Sequence, residues 1–148
     1  MQNNDNNRSL NGLTDVTGAD VKCTRKLTVG GILVHTKTTA TCSAAANANL
    51  TIKSSFVEAY PFTGLTSSVD NIYLDGSYGD TIPDGTLIRI TAPSTATHIR
   101  FTEAGNIDLD TPSPNPWKDV NNRTFLNFVW VEAGGKWVWC SGNGCCIC

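Results

Sequence analysis

Strand-length runs of apolar and β-branched residues, each closed off by turn-forming residues, recur from Phe56 onward in this 148-residue chain. Phe56-Val57-Glu58-Ala59-Tyr60 stops at Pro61, and Asn71-Ile72-Tyr73-Leu74 stops at Asp75-Gly76. Thr86-Leu87-Ile88-Arg89-Ile90-Thr91 alternates, with Leu87 and Arg89 on one side and Ile88 and Ile90 on the other. His98-Ile99-Arg100-Phe101 alternates too, and Asn106-Ile107-Asp108-Leu109 leads into a loop holding Pro112, Pro114 and Pro116. The strongest hairpin signal is Phe125 to Val131 and Lys136 to Cys140 around Ala133-Gly134-Gly135. Short strands with turn chemistry every ten or so residues predict an all-β chain, a small antiparallel β-sandwich or barrel.

Composition agrees. Charged residues make up 16% of the chain, well under the roughly 25% usual for soluble domains. Thr, Asn, Ser and Gly take their place, which suits strands and turns rather than helices. Upstream, Leu27-Thr28-Val29, Gly30-Gly31 and Ile32-Leu33-Val34-His35-Thr36 read as strand, turn, strand. Thr38 to Cys42 and Leu50 to Lys53 continue in short β-branched runs, and Ser43 to Asn49 is the one place for a helical turn. Segments this short and polar are expected to pair across subunits rather than to complete a core alone.

The net charge is −2 and no basic run occurs, which argues against a nucleic-acid partner. No apolar stretch reaches the roughly 20 residues that span a bilayer, so no membrane insertion is expected. The polar, Asn-rich start from Met1 to Arg8 lacks the apolar core of a secretory leader, and synthesis in a cytoplasm is expected. Residues 1–26 read as an extended arm that orders against a partner. A short β or linker region at 27–55, a β-sandwich knob at 56–142 and a Cys-rich tail at 143–148 complete the division.

Four phrases, in order, carry a resemblance: Ser68-Val69-Asp70-Asn71-Ile72-Tyr73-Leu74-Asp75-Gly76, Thr81-Ile82-Pro83-Asp84-Gly85-Thr86-Leu87-Ile88-Arg89-Ile90, Gly105-Asn106-Ile107-Asp108-Leu109, and Phe125-Leu126-Asn127-Phe128-Val129-Trp130-Val131-Glu132 followed by Gly135-Lys136-Trp137. Together, over about residues 54–142, they resemble small β-structured fibre and tip domains of tailed bacteriophages. The resemblance implies a homotrimer of β-sandwich-like knobs, with the closing hairpin packed across the sheet through Trp130 and Trp137. It implies a virion structural protein at the particle surface, whose arm would dock on the capsid or another virion protein and whose knob would contact a host surface glycan. The chain holds no heptad or repeat of a shaft. Taken from Met1 as complete, it therefore points to a head fibre or capsid decoration module, with a tail or collar fibre tip as the alternative.

Cys140, Cys145, Cys146 and Cys148 crowd the tail, with Cys23 and Cys42 far upstream. Disulfides within or between chains, a metal or cluster site on soft thiolates, and free thiols all remain open. The tail spacing does not match paired C-x2-C zinc knuckles, and no cofactor is otherwise expected.

No catalytic constellation occurs. His35 and His98 sit in no metal or general-base motif. Asp108 and Asp110 would share a strand face, but read better as a solvated pair, or as Ca²⁺ ligands with Asp75 or Asp80, than as glycosidase carboxylates. The expectation is a non-enzyme. Asn49-Leu50-Thr51 and Asn122-Arg123-Thr124 match the glycosylation sequon and are taken as chance.

Among the aromatics, Phe128, Trp130, Trp137 and Trp139 are expected in core or subunit packing, Trp137 and Trp139 on one face. Trp117, placed in the Pro-rich loop, is the candidate exposed binding aromatic, with Tyr73 and Tyr78 beside it and Tyr60 as a further possibility. A stand-alone carbohydrate-binding module using these rings is the rival function.

Overall fold

A computed structural model describes residues 25, 28, 30–32, 34–75 and 81–147, with the backbone alone for 145–147. The expected arm, apart from Arg25, lies outside the described residues, as do Cys23, Tyr78, Asp80 and Cys148. The chain divides into Met1–Leu33 and a compact unit that begins at Val34.

The unit from Val34 onward is all-β, in two sheets. Its strands are β1 (Lys37–Thr41), β2 (Ala48–Ile52), β3 (Phe56–Tyr60), β4 (Thr66–Leu74), β5 (Leu87–Thr91), β6 (His98–Thr102), β7 (Ile107–Asp108), β8 (Trp117–Val120), β9 (Leu126–Val131), β10 (Lys136–Gly142) and β11 (Cys145–Ile147). One turn of 3-10 helix, Glu132–Gly134, joins β9 to β10. The six-stranded sheet runs β1-β3-β5-β9-β10-β7 and the five-stranded sheet β11-β8-β6-β4-β2.

The order corrects the antiparallel expectation. β1, β3 and β5 are parallel neighbours in one sheet, and β2, β4 and β6 are parallel neighbours in the other. Successive strands thus alternate between sheets, and the chain winds three times around a shared interior. The reason lies in the links. Parallel neighbours need a crossover, and each crossover here is a strand of the opposite sheet. Lys53-Ser54-Ser55 joins β2 to β3; three residues reach about 10 Å, about the spacing of stacked sheets. Antiparallel pairing enters only late, where β9 reverses against β5, β8 against β6, β10 against β9 and β11 against β8. The β9–β10 hairpin is the one the sequence predicts.

Register stacks the inward residues in columns. Thr38, Val57, Ile90 and Leu126 stand side by side across β1, β3, β5 and β9. Ala48, Val69, Phe101 and Lys118 do so across β2, β4, β6 and β8. Both sheets feed one buried cluster that includes Leu50, Ile52, Ile72, Ile99, Phe128 and Trp137. The Phe101 and Phe128 rings, one from each sheet, meet at 5.6 Å. A single chain therefore closes a core, and the expectation that association is needed to complete it is corrected. Alternating strands with both inner faces apolar already enclose Phe101, Phe128 and Trp137 completely.

Several expected boundaries move. β1 and β2 join the same two sheets as later strands, so the compact unit starts at Val34 rather than at 56. The run 27–36 is not in strand wherever it is described, and Ile32 and Val34 are exposed. Ser43 to Asn49 forms no helical turn. It is a bent link with Asn47 at positive φ, and β2 begins inside it at Ala48. At the other end, part of the Cys-rich tail forms β11, paired antiparallel with β8.

Candidate functional site

The two sheets turn different outer faces to the surroundings. On the six-stranded sheet, Leu87, Val129 and Val138 are consecutive register partners across β5, β9 and β10. Alternation sends Ile88, Phe128 and Trp137 inward and therefore these three outward. Leu87 is 61% exposed, and Val131, two residues along β9, is 36% exposed. Arg89 follows Leu87 on the same face, its guanidinium 4.3 Å from the centre of the Phe125 ring and its Nε donating to Asn127 Oδ1 at 2.9 Å. No carboxylate pairs with Arg89 among the described residues. On the other side of the apolar row, along the strands from Arg89, stand Asp84 and Glu132. The Glu132 amide donates to Asp84 Oδ1 at 2.9 Å. Lys136 lies there too, with its ammonium donating to the Gly105 carbonyl at 2.7 Å.

Further along this face, Lys37 and Glu58 pair at 2.8 Å, and the Tyr60 hydroxyl donates to the other Glu58 oxygen at 2.8 Å. The hydrogen bond from Lys37, then that from Tyr60, holds the Glu58 carboxyl below its ordinary value. The same bonds raise Lys37 and Tyr60.

The turn Pro83-Asp84-Gly85-Thr86 is seated on the hairpin. Gly85 takes φ of 81°, a conformation glycine adopts without steric cost. The Gly85 amide donates to the Trp130 carbonyl and the Trp130 amide to the Thr86 carbonyl, both at 2.9 Å. Two of the four sequence phrases are thus in direct contact.

On the five-stranded sheet the outer face is polar and carries aromatics. Trp117 is not in the Pro-rich loop, as expected, but opens β8 and points outward. The Arg100 guanidinium covers its ring at 3.8 Å and binds Asp119 through Nε at 3.1 Å, while His98 lies 3.8 Å from the other Asp119 oxygen. Beside them Thr102 donates to Asp70 Oδ1 at 2.6 Å, and Asn71 donates to Asn49 at 3.2 Å. Tyr73 is 45% exposed on β4, with β6 between it and Trp117. The expected pair Trp117 and Tyr73 therefore share a sheet face.

The hairpin aromatics resolve into core and near-core positions. Phe128 and Trp137 are fully buried, and Trp130 and Trp139 pack against the cluster partly exposed. Trp130 and Trp137, register partners, meet edge to face at 5.3 Å, a favoured geometry. Trp137 and Trp139 share a face as expected.

Sequence reasoning missed Lys118. It stands in an inward column, is 5% exposed, and holds its ammonium 3.9 Å from the Trp139 ring centre. Its stem supplies apolar packing while the ring face receives the charge. A lysine beside a Pro-rich stretch gives no sequence signal for this. Among the described residues Trp139 Nε1 has no hydrogen-bond partner.

Asp108 and Asp110 do not form a carboxylate pair on a strand. β7 ends at Asp108, Asp110 takes φ of 50°, and its amide donates to Asp108 Oδ1 at 2.9 Å, an Asx turn. His35 is exposed, with Nδ1 3.3 Å from Ser55 Oγ. Of the four tail cysteines only Cys140 has a described side chain; it is a free, exposed thiol 3.4 Å from the Asn127 carbonyl. Cys42, also free, is buried, and desolvation pushes its thiol up to about 11. Among the described residues no group of three His, Cys, Asp or Glu could hold a metal, and no helix is long and apolar enough to cross a membrane. No protein-family model, curated protein or solved structure matches the chain.

Proposed function

We propose that this chain is a non-enzymatic structural module of a virus particle, a homotrimeric head-fibre or capsid-decoration protein whose β unit projects from the surface. The observation that carries the assembly half of this reading is the apolar row Leu87-Val129-Val138 on the outside of a unit whose core is already closed. Exposed apolar surface that the chain's own packing does not need is characteristic of contact between proteins. The particle half rests on the sequence phrases that resemble phage fibre tips, two of which, the Pro83 turn and the closing hairpin, lie against each other. Residues 1–26 would supply the attachment to the capsid or to another virion protein, ordering on contact.

The polar outer face with Trp117, Arg100, Asp119, Asp70 and Tyr73 favours a second, compatible role, weak contact with a host surface glycan. Three copies would multiply such weak contacts. Two measurements test the proposal. Light scattering on the purified protein at micromolar concentration is expected to give three times the 15.9 kDa chain mass, and labelled antibody is expected to decorate intact particles. A strict monomer, or particles lacking the protein, would contradict it. Glycan binding lost in Trp117→Ala, with the mass unchanged, would assign the second role to that face.

A further inference from the structure

We infer that copies of this chain meet through the outer face of the six-stranded sheet, with Arg89 of one copy placed against Asp84 and Glu132 of the next. The inference rests on the proposed assembly and gives it a surface and an alignment. Three observations converge on this face. First, of the two outer sheet faces, it is the one on which described aliphatic residues form a continuous row across neighbouring strands. Leu87, Val129 and Val138 are direct register partners, and Val131 extends the patch. On the other sheet the corresponding positions are His98, Arg100, Thr102, Asp70, Asn71 and Asn49, already joined by hydrogen bonds and ion pairs.

Second, the row is flanked by unlike charge on its two sides. Arg89 follows Leu87 in one direction along the strands; Asp84 precedes it in the other, with Glu132 just past Val131. Arg89 is held in place by Phe125 and Asn127 yet meets no carboxylate among the described residues. The acidic side carries Lys136 as well, but that ammonium is committed to the Gly105 carbonyl. A surface with a cation along one side and carboxylates along the other lets one side of each copy meet the opposite side of the next. It does not complement a uniformly charged partner such as a nucleic acid or an acidic polysaccharide. Third, of the remaining charges of this face, Lys37 and Glu58 neutralise each other at 2.8 Å, and Asp108, the register partner of Val138 on β7, adds one carboxylate at the far edge of the row, where it accepts from the Asp110 amide. Complementary charges at the rim of an apolar patch fix alignment more than they add affinity, and a contact in which one side of each copy meets the opposite side of the next closes into a ring such as the proposed trimer.

The test uses the full chain and sedimentation equilibrium over a concentration series, with thermal melting to verify folding. Leu87→Glu is expected to shift the protein to monomer, since an exposed position tolerates the change in the fold but buries a charge at the contact. Arg89→Glu is expected to weaken association at least tenfold. Adding Asp84→Arg and Glu132→Arg to Arg89→Glu is expected to restore most of it by re-forming the pair with reversed sign. An oligomeric wild type that stays oligomeric in both Leu87→Glu and Arg89→Glu would overturn the inference while leaving the proposed assembly intact. A wild type that is monomeric throughout would overturn both. Recovery in the charge-reversed variant separates a specific contact from general loss of stability, because a merely damaged fold would not be rescued by two further substitutions.

Discussion

The side-chain amide of Asn106 holds both backbone polar groups of Ile72: its Oδ1 accepts from the Ile72 amide at 2.8 Å and its Nδ2 donates to the Ile72 carbonyl at 2.8 Å. A neighbouring strand would offer the same two bonds. β6 pairs with β4 only as far as Val69, and Asn106 takes over beyond an irregularity at which Ala48 pairs with Val69 but Asn49 pairs with Asn71. Ile72 also receives the Trp137 indole, whose Nε1 donates to the same carbonyl at 3.1 Å. One residue of the five-stranded sheet is thereby tied to the hairpin of the six-stranded sheet.

Asn106→Ala is expected to destabilise the fold by about 2–3 kcal/mol, since it removes two bonds and leaves a buried strand residue with an unmatched amide. Asn106→Asp is expected to cost at least as much, because a carboxylate cannot donate to the carbonyl. Denaturant unfolding with an unchanged slope would read the difference.

Gly105 precedes this side chain with φ of 55°, and a Cβ there would collide with the Asn71 side-chain oxygen and the Asp70 carbonyl. Gly105→Ala is expected to cost more than about 2 kcal/mol, from backbone strain and displacement together. Gly135, also at positive φ, has no atom of the described residues beyond its chain neighbours within 4 Å of its added Cβ, so Gly135→Ala is expected to show the strain alone, at about 1 kcal/mol. Thermal melts of the two variants side by side would check the contrast.

Lys118 is expected to be replaceable by Met with little loss, within about 1 kcal/mol, because a side chain of similar length keeps the packing while the burial of charge disappears. Lys118→Glu is expected to cost more than about 3 kcal/mol, since a carboxylate would face the electron-rich Trp139 ring in a buried position. Unfolding monitored by tryptophan fluorescence reads both outcomes, and the Met variant should also change the native emission through loss of the ammonium beside Trp139.

Cys42 makes stability fall at high pH. Its thiol stays protonated in the fold up to about 11, against an ordinary 9.0, so between those values the unfolded chain binds fewer protons than the native one. Stability from this group is complete below about pH 9 and declines toward pH 11, by on the order of 2 kcal/mol in all. Cys42→Ala is expected to lower stability at neutral pH but to flatten that decline, in unfolding curves taken at a series of pH values. In the native protein at pH 8, Cys42 is expected to resist thiol reagents that modify Cys140 at once.

Strand positions were legible because alternation survives in the sequence: Leu87 and Arg89 face out and Ile88 and Ile90 face in, as their order alone predicts. Direction was not, because parallel and antiparallel strands share the same two-residue period, and only the reach of links such as Lys53-Ser54-Ser55 separates them. β8 was hidden for a different reason. Its inward positions are Lys118 and Val120 and its outward ones Trp117 and Asp119, so polarity and burial run against each other. The Ile72 contact was illegible because a side-chain amide stands in for a strand. Conversely, the β-branched run 27–36 reads as two strands, yet its described residues have no pairing partner and Ile32 and Val34 face solvent. For the surface, Trp117 and Tyr73 could be named separately from composition, but their common face needed β6 and β4 placed side by side. The Leu87-Val129-Val138 row likewise needed the register of three strands.

A structure of the assembled protein, at a resolution that shows side chains, is the most direct test of the central claim that a self-sufficient two-sheet unit associates through one sheet face. It is expected to show each unit with its early strands alternating between the two sheets, Leu87 and Val129 buried against a neighbouring copy, and Trp117 turned away from the contact. An assembly in which Leu87 faces solvent, or in which the hairpin of one copy completes the core of another, would contradict it.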